Sequence, residues 1–188
     1  RIREFLRRGG RCLVFEQSAP GGVAFLPGLE YRQAGAAQFS EILRFKHPLL
    51  ATLSQRDFHC WNQRDMAIYH YFISPVSEAA ITHGGDSTTW GSDNFGMTNA
   101  HVRVGAGDAI LTQMELSKLS AVDSAAAQMA RNALLVVLDD ATRSWAAEYS
   151  GHAVVDIAPV EPARLRRLSL AAAATMGFAD PVAQDGQG

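Results

Sequence analysis

The sequence predicts an α/β domain with a mostly parallel sheet covered by helices on both faces. Three observations carry this. Arg11 to Gln17 (RCLVFEQ) is an apolar run with little alternation, the pattern of a strand buried on both faces. It follows a helical pattern over 1–8 that ends at Gly9-Gly10, where a helix stop needs left-handed backbone. Asp123-Ser124 then opens a long helical pattern that runs to about residue 138 and is apolar nearly all round after Asn132.

Between these markers each element has a local reason. Residues 18–35 are rich in Gly, Pro, Ala and Ser and predict a long loop after the first strand. Residues 36–45 place Phe39, Ile42, Leu43 and Phe45 at helical spacing, and His47-Pro48 closes that helix. Residues 49–61 fit a helical turn followed by a loop. Met66 to Ser74 alternates as a strand and is closed by Pro75. Residues 77–99, with Gly84-Gly85, Gly91 and Gly96, predict a second long loop, and long loops in small domains are often functional. Residues 100–104, Gly105-Ala106-Gly107 and 108–113 form a strand, tight turn and strand. Leu134 and Leu135 are expected in the buried core of the long helix. A polar connection over 141–152, a strand over 153–157 and a basic amphipathic helix over 163–174 complete the chain. Arg1 stands inside a helical pattern with no signal-peptide pattern before it, so a segment of a longer polypeptide is expected.

Composition excludes several function classes. Among 188 residues there are 17 basic and 19 acidic side chains, a net charge of −2, so nothing marks a nucleic-acid partner. No apolar run approaches the ~20 residues of a membrane-spanning helix. Two cysteines support neither a disulfide framework nor a four-thiolate metal site. The six histidines show no H-x3-H or H-E-x-x-H spacing, and the glycine pairs do not open a helix after a strand, so neither metal nor cofactor is expected.

Nucleophile signatures are also missing. There is no G-x-S-x-G or G-x-C-x-G, Cys12 lies in a strand where a structural thiol is the rule, and Cys60 is a strand-like neighbour of His59, whose side chain would point the other way. Glu16 and Gln17 end the first strand, the position where parallel sheets place sites. Glu115 follows the strand at 108–113 in the same manner. Asp57 and Trp61 belong to an aromatic-rich stretch, and Trp90 and Phe95 lie in the second long loop. If both long loops leave the same edge of a parallel sheet, Glu16, Trp61, Trp90 and Phe95 share one cleft. The alternative is that the aromatics only pin the loops to the domain.

The order of the pieces L-R-R-G-G-R-C-L-V-F-E-Q, K-H-P-L-L-A-T-L-S-Q-R-D-F-H-C-W, V-G-A-G-D-A-I-L-T-Q-M-E-L and D-S-A-A-A-Q-M-A-R-N-A-L-L resembles the class I glutamine amidotransferase-like domain of large bacterial β-galactosidase-type glycoside hydrolases. The matching positions are Gly9, Gly10, Glu16, Gln17, His47, Pro48, Asp57, Trp61, Gly105, Gly107, Gln113, Asn132 and Leu135. The resemblance covers residues 1–140 and implies a flavodoxin-like fold that lacks its first strand–helix unit. Residues 141–188 then connect to a following β-sandwich module. Glu16-Gln17-Ser18 stands where true amidotransferases carry their cysteine, and no His-x-Glu pair occurs, so amidotransferase chemistry is not carried over. The function implied is a non-catalytic accessory domain, serving assembly or lining a sugar cleft, with neighbouring domains, a second copy of the chain and carbohydrate as partners. The alternatives are a hydrolase using Glu16 with Asp57 or Glu115, and a free small-ligand-binding protein.

Overall fold

The N-terminal helix α1 (Ile2–Arg7) ends as its glycines require. Gly9 adopts φ +98°, its N–H donates to the Leu6 carbonyl, and the Gly10 N–H donates to the Phe5 carbonyl, which closes the helix in the double-bonded left-handed stop. The chain then enters β1 (Arg11–Val14). The structure, a computed structural model, describes residues 1–37, 40–58, 69–74, 76–85 and 95–148. Its further elements are β2 (Gly21–Gly22), β3 (Glu30–Ala37), β4 (Ser40–Ile42), β5 (Tyr69–Ser74), β6 (Ala80–Gly85), β7 (Phe95–Val104), β8 (Gly107–Thr112), α2 (Leu116–Leu119), α3 (Ser124–Leu138) and β9 (Ala147–Glu148). Short 3₁₀ turns occupy Pro48–Leu50, Gln55–Phe58 and Asp140–Trp145.

The flavodoxin-like, mostly parallel α/β expectation is overturned. The nine described strands form one mixed sheet in which only β1/β8 and β7/β9 pair in parallel; the remaining pairs are antiparallel. Its hub is β7. Asn99 and Ala100 pair with β6 on one edge and with β8 on the other, and Met97 pairs with both His83 and Ile73. The long strand is therefore flanked by β8 and then β5 along one edge, and by β6 and then β9 along the other, which curls the sheet around it.

Several sequence expectations change for one physical reason. Residues 18–35 read as a loop for their Gly, Pro, Ala and Ser content and 77–99 for their Gly, Thr and Ser content, yet they contain β2, the start of β3, all of β6 and half of β7. Threonine is a good strand former, and glycine is tolerated where another group closes in. A Cβ on Gly96 would run into the ring of Phe72. The helix expected over 36–45 is replaced by β4, which pairs with β6, and Phe45 is left exposed. Helical spacing over so short a stretch is overridden by an available strand edge.

Two apolar layers cover the sheet. One packs Ile42, Leu49, Phe72, Ile81 and Ile110 under α2 and α3, which contribute Leu116, Met129, Ala133 and Val136. The other gathers Leu6, Leu26, Tyr31, Ile73, Val102 and Leu111. Neighbouring residues of β8, Ile110 and Leu111, serve opposite layers, as strand alternation demands, and all six positions of β8 are buried. The strand covered on both faces is thus β8. The apolar run of β1 sits at the end of the strand order and is only half-buried.

The tight turn between β7 and β8 is as expected. Gly105 has φ +65°, and a Cβ on Gly107 would collide with the Gly10 and Leu6 carbonyl oxygens. Helix α3 is also as expected in extent, with the Asp123 carboxylate accepting from the Ala126 N–H. Leu134 and Leu135 are not core residues, however; they are 54% and 53% exposed. At about 100° per residue, Ala126, Met129, Ala133 and Val136 fill the inner face, and Leu134, Leu135 and Leu138 fall on the opposite one. The strand at 153–157 and helix at 163–174 lie outside the described residues.

Candidate functional site

The parallel pairing of β1 with β8 brings their C-terminal ends to one edge of the sheet, and the residues following both strands meet there. The Gln17 N–H donates to Gln113 Oε1 at 3.2 Å. Glu16 Oε1 accepts from the Ser117 N–H at 3.2 Å and from the Ser117 hydroxyl. One residue on, Lys118 Nζ donates to Glu115 Oε1 at 2.9 Å. The hydrogen bond to Glu115, and then the charges of Glu115 and Glu16, push the Lys118 ammonium pKa upward and keep it protonated. The edge thus gathers two carboxylates, an ammonium, a hydroxyl and two carboxamides within a few residues of two strand ends.

These groups differ in what they offer. Glu115 and Gln113 are buried, Gln17 is exposed, and the Lys118 side chain is 65% exposed. Glu16 is half-buried, and its Oε2 is enclosed with no hydrogen-bond partner among the described residues. Gln17 and Lys118 are therefore the outward donors, and Glu16 is the post that ties β1 to the start of α2.

The other sequence candidates go elsewhere. Asp57 caps its own turn, its Oδ2 accepting from the Ser54 N–H at 2.7 Å and the Ser54 hydroxyl at 2.8 Å. Phe95 is the first residue of β7, opposite Gly85. Trp61, Trp90 and Cys60 lie outside the described residues. Because β6 is antiparallel to β7, and β7 to β8, β6 runs in the same sense as β1. Cys12 is a half-buried free thiol; burial, then the Asp108 charge, pushes its pKa up to about 11, which leaves it unreactive.

A second constellation was not predicted. Asp108, at the start of β8, is 1% exposed and receives Arg11 from β1, with Nε on Oδ1 at 2.7 Å and Nη2 on Oδ2 at 2.8 Å. His101 Nε2 lies 2.6 Å from Asp108 Oδ2, and His101 Nδ1 lies 3.0 Å from His47 Nε2. The Leu49 N–H donates to His47 Nδ1 at 3.1 Å. Both imidazoles are 0–1% exposed. Burial tends to raise the Asp108 pKa, but the hydrogen bonds from His101 and Arg11, with the Arg11 charge, outweigh it and hold the carboxyl at about 2. Burial, then the neighbouring His101 and Arg44, lowers His47 to about 3. Burial also lowers His101, against the pull of Asp108. The sequence signal was weak: two histidines 54 residues apart carry no spacing pattern.

Among the described residues no group of three or more His, Cys, Asp or Glu side chains could hold a metal ion, and no helix is long and apolar enough to cross a membrane. Comparison with protein-family models, with curated proteins and with solved structures finds no match.

Proposed function

We propose that this chain is a non-catalytic accessory domain of a multidomain carbohydrate-active enzyme of the β-galactosidase type, which lines part of a sugar cleft beside neighbouring domains of the same polypeptide. The motif order from Gly9-Gly10 to Asn132 is what suggests that enzyme context, although the mixed sheet departs from the flavodoxin-like fold that the same order implies. The observation that carries the reading is the edge at the ends of β1 and β8. Carboxylates and carboxamides there are held in place by Ser117, Lys118 and Gln113, while Gln17 and Lys118 face outward. Fixed carboxamide and ammonium donors suit sugar hydroxyls. A carboxylate already engaged by a hydroxyl and a backbone N–H is a poor nucleophile.

The test is a titration of the chain with galactose and lactose, followed by amide chemical shifts. Shifts should concentrate at Gln17 and Lys118 and vanish in Gln17→Ala, and the chain alone should not hydrolyse a nitrophenyl galactoside. The convergence of Glu16 and Glu115 on residues 115–118 favours one second reading, a hydrolase using that pair rather than Glu16 with Asp57. Hydrolysis abolished by Glu16→Gln would replace the accessory role with that one.

A further inference from the structure

The buried histidines have a directional chemistry. Leu49 can only donate, so His47 Nδ1 is the acceptor and the His47 proton sits on Nε2, aimed at His101 Nδ1. That makes His101 Nδ1 an acceptor and places the His101 proton on Nε2, aimed at the Asp108 carboxylate. The hydrogen bonds run one way, Leu49 to His47 to His101 to Asp108, with both rings neutral. A proton added to His47 puts an N–H against the Leu49 N–H. A proton added to His101 puts one against His47 Nε2–H. Neither ring can accept a proton without breaking a link.

The surroundings offer an added charge no relief. From β1 comes the Arg11 guanidinium, from the approach to the 3₁₀ turn Arg44, and from the Asp140–Trp145 turn Arg143, whose Nε lies 3.4 Å from Asp108 Oδ1. Trp145 packs edge-on against His47, and Arg44 lies over the same indole. Asp108 on β8 is the one buried carboxylate among them and already holds Arg11; Asp140 is exposed and 3.9 Å from Arg11. From α3 the facing group is neutral Asn132, which donates to the Leu49 and Ala51 carbonyls at 3.0 and 2.8 Å.

We propose that the His47–His101–Asp108 chain is an acid-operated latch that holds residues 44–54 against β7 and α3 at neutral pH and releases them when either histidine takes a proton. Release would uncover Leu49 and Leu50, 0% and 2% exposed in the closed form, beneath α3. The proposal stands apart from the sugar-binding reading, since its groups lie away from the Glu16 edge. An open-state histidine titrates near its ordinary value of about 6.5, and burial lowers both rings in the closed state. The closed form is therefore favoured fully above about pH 6.5 and loses ground as pH falls below it.

Amide hydrogen exchange of the full chain between pH 7.5 and 5, corrected for the intrinsic pH dependence of exchange, tests this. The Leu49, Leu50, Ala51 and Leu53 amides are all hydrogen-bonded in the closed segment. Their opening constant should rise about tenfold per pH unit below 6.5 for one proton taken up, and about a hundredfold for two. The Leu26 amide, bonded to the Val23 carbonyl in the opposite layer, exchanges on wider unfolding and should keep a much smaller opening constant at every pH. His83→Gln should keep the slope, because His83 pairs with the Glu41 carboxylate at 2.8 Å. The double variant His47→Gln/His101→Gln, which keeps a donor and an acceptor at each place and does not titrate, should lose it. A flat opening constant in the wild-type chain, or opening constants at Leu49 to Leu53 no larger than at Leu26 in acid, would overturn the latch without any variant having to fold.

Discussion

Two buried polar regions hold opposite ends of β7, and they are built from different chemistry. Near Val104 the ties are charged: Asp108 with Arg11, then His101 and His47. Near Phe95 they are neutral. The Ser40 hydroxyl donates to Thr98 Oγ1 at 2.9 Å, the Thr82 and Thr98 hydroxyls lie 2.6 Å apart, and Asn99 Nδ2 donates to Thr82 Oγ1. Gln55 stitches β4 to this seam, donating to the Ser40 carbonyl and accepting from the Ile42 N–H, both at 2.8 Å. Both regions satisfy groups that would be costly to bury alone. The Ser40, Thr82, Thr98 and Asn99 side chains of the neutral seam do not titrate, so that seam should not itself answer to pH, whereas the His47–His101–Asp108 ties should.

The largest way to break the comparison is Asp108→Ala. It takes Arg11, 8% exposed, off its buried carboxylate, leaving it the Asp139 carbonyl and the Thr142 hydroxyl as near acceptors, and removes the acceptor for His101. Leaving a buried charge unpaired should cost roughly 3–5 kcal/mol, read as the change in urea midpoint. A loss smaller than that of the neutral seam would mean that the charged region is not the stronger tie.

Next comes pH itself. His47 is depressed to about 3 and His101 is also lowered, so the unfolded chain binds the extra protons. Stability should be complete above about pH 6.5 and fall by about 1.4 kcal/mol per pH unit for His47 as pH drops toward 5, with His101 adding in the same direction. Asp108 adds to this only at lower pH: its depressed carboxyl contributes stability that is lost as pH falls from about 4 through about 2. Urea titrations at pH 7, 6 and 5 check the slope, and a flat profile would contradict the neutral, buried state of both rings.

Thr98→Val sharpens the other side. It keeps the shape but leaves the Ser40 and Thr82 hydroxyls short of a partner, at roughly 1–3 kcal/mol. The same loss at pH 7 and pH 5 is expected, and a loss that grows in acid would join the two regions. The smallest effect should be Leu134→Ala. That residue is half-exposed on the outer face of α3, and the change in thermal midpoint should correspond to less than about 0.5 kcal/mol.

What could be read from sequence was local. Gly9-Gly10 stops a helix, Asp123 caps one, Gly105 turns a hairpin, and the strand expected over 11–17 exists with a parallel neighbour, although it ends at Val14 and Glu16 lies two residues beyond it. The candidate site is legible to that extent: Glu16 and Gln17 follow the first strand pattern, and Glu115 follows the strand pattern at 108–113 in the same manner. Ser117 and Lys118 were missed because nothing in their spacing marks them until β8 brings them to β1.

The sequence by itself determined where α1 stops, where α3 starts and where one hairpin turns, because each depends on the backbone preferences of a few adjacent residues. Only the tertiary structure decided the rest. The Thr- and Gly-bearing stretches at 80–85 and 95–104 became strands because neighbouring strands supplied backbone partners, and Thr82 and Thr98 could be buried because their hydroxyls meet each other, with Asn99 Nδ2 donating to Thr82 Oγ1. Leu134 turned outward because Ala126, Met129, Ala133 and Val136 already filled the inner face of α3. His47 met His101 across 54 residues because β7 and the Pro48–Leu50 turn pack together. Local patterns encode propensity, whereas burial and pairing are settled by which distant residues arrive at the same place.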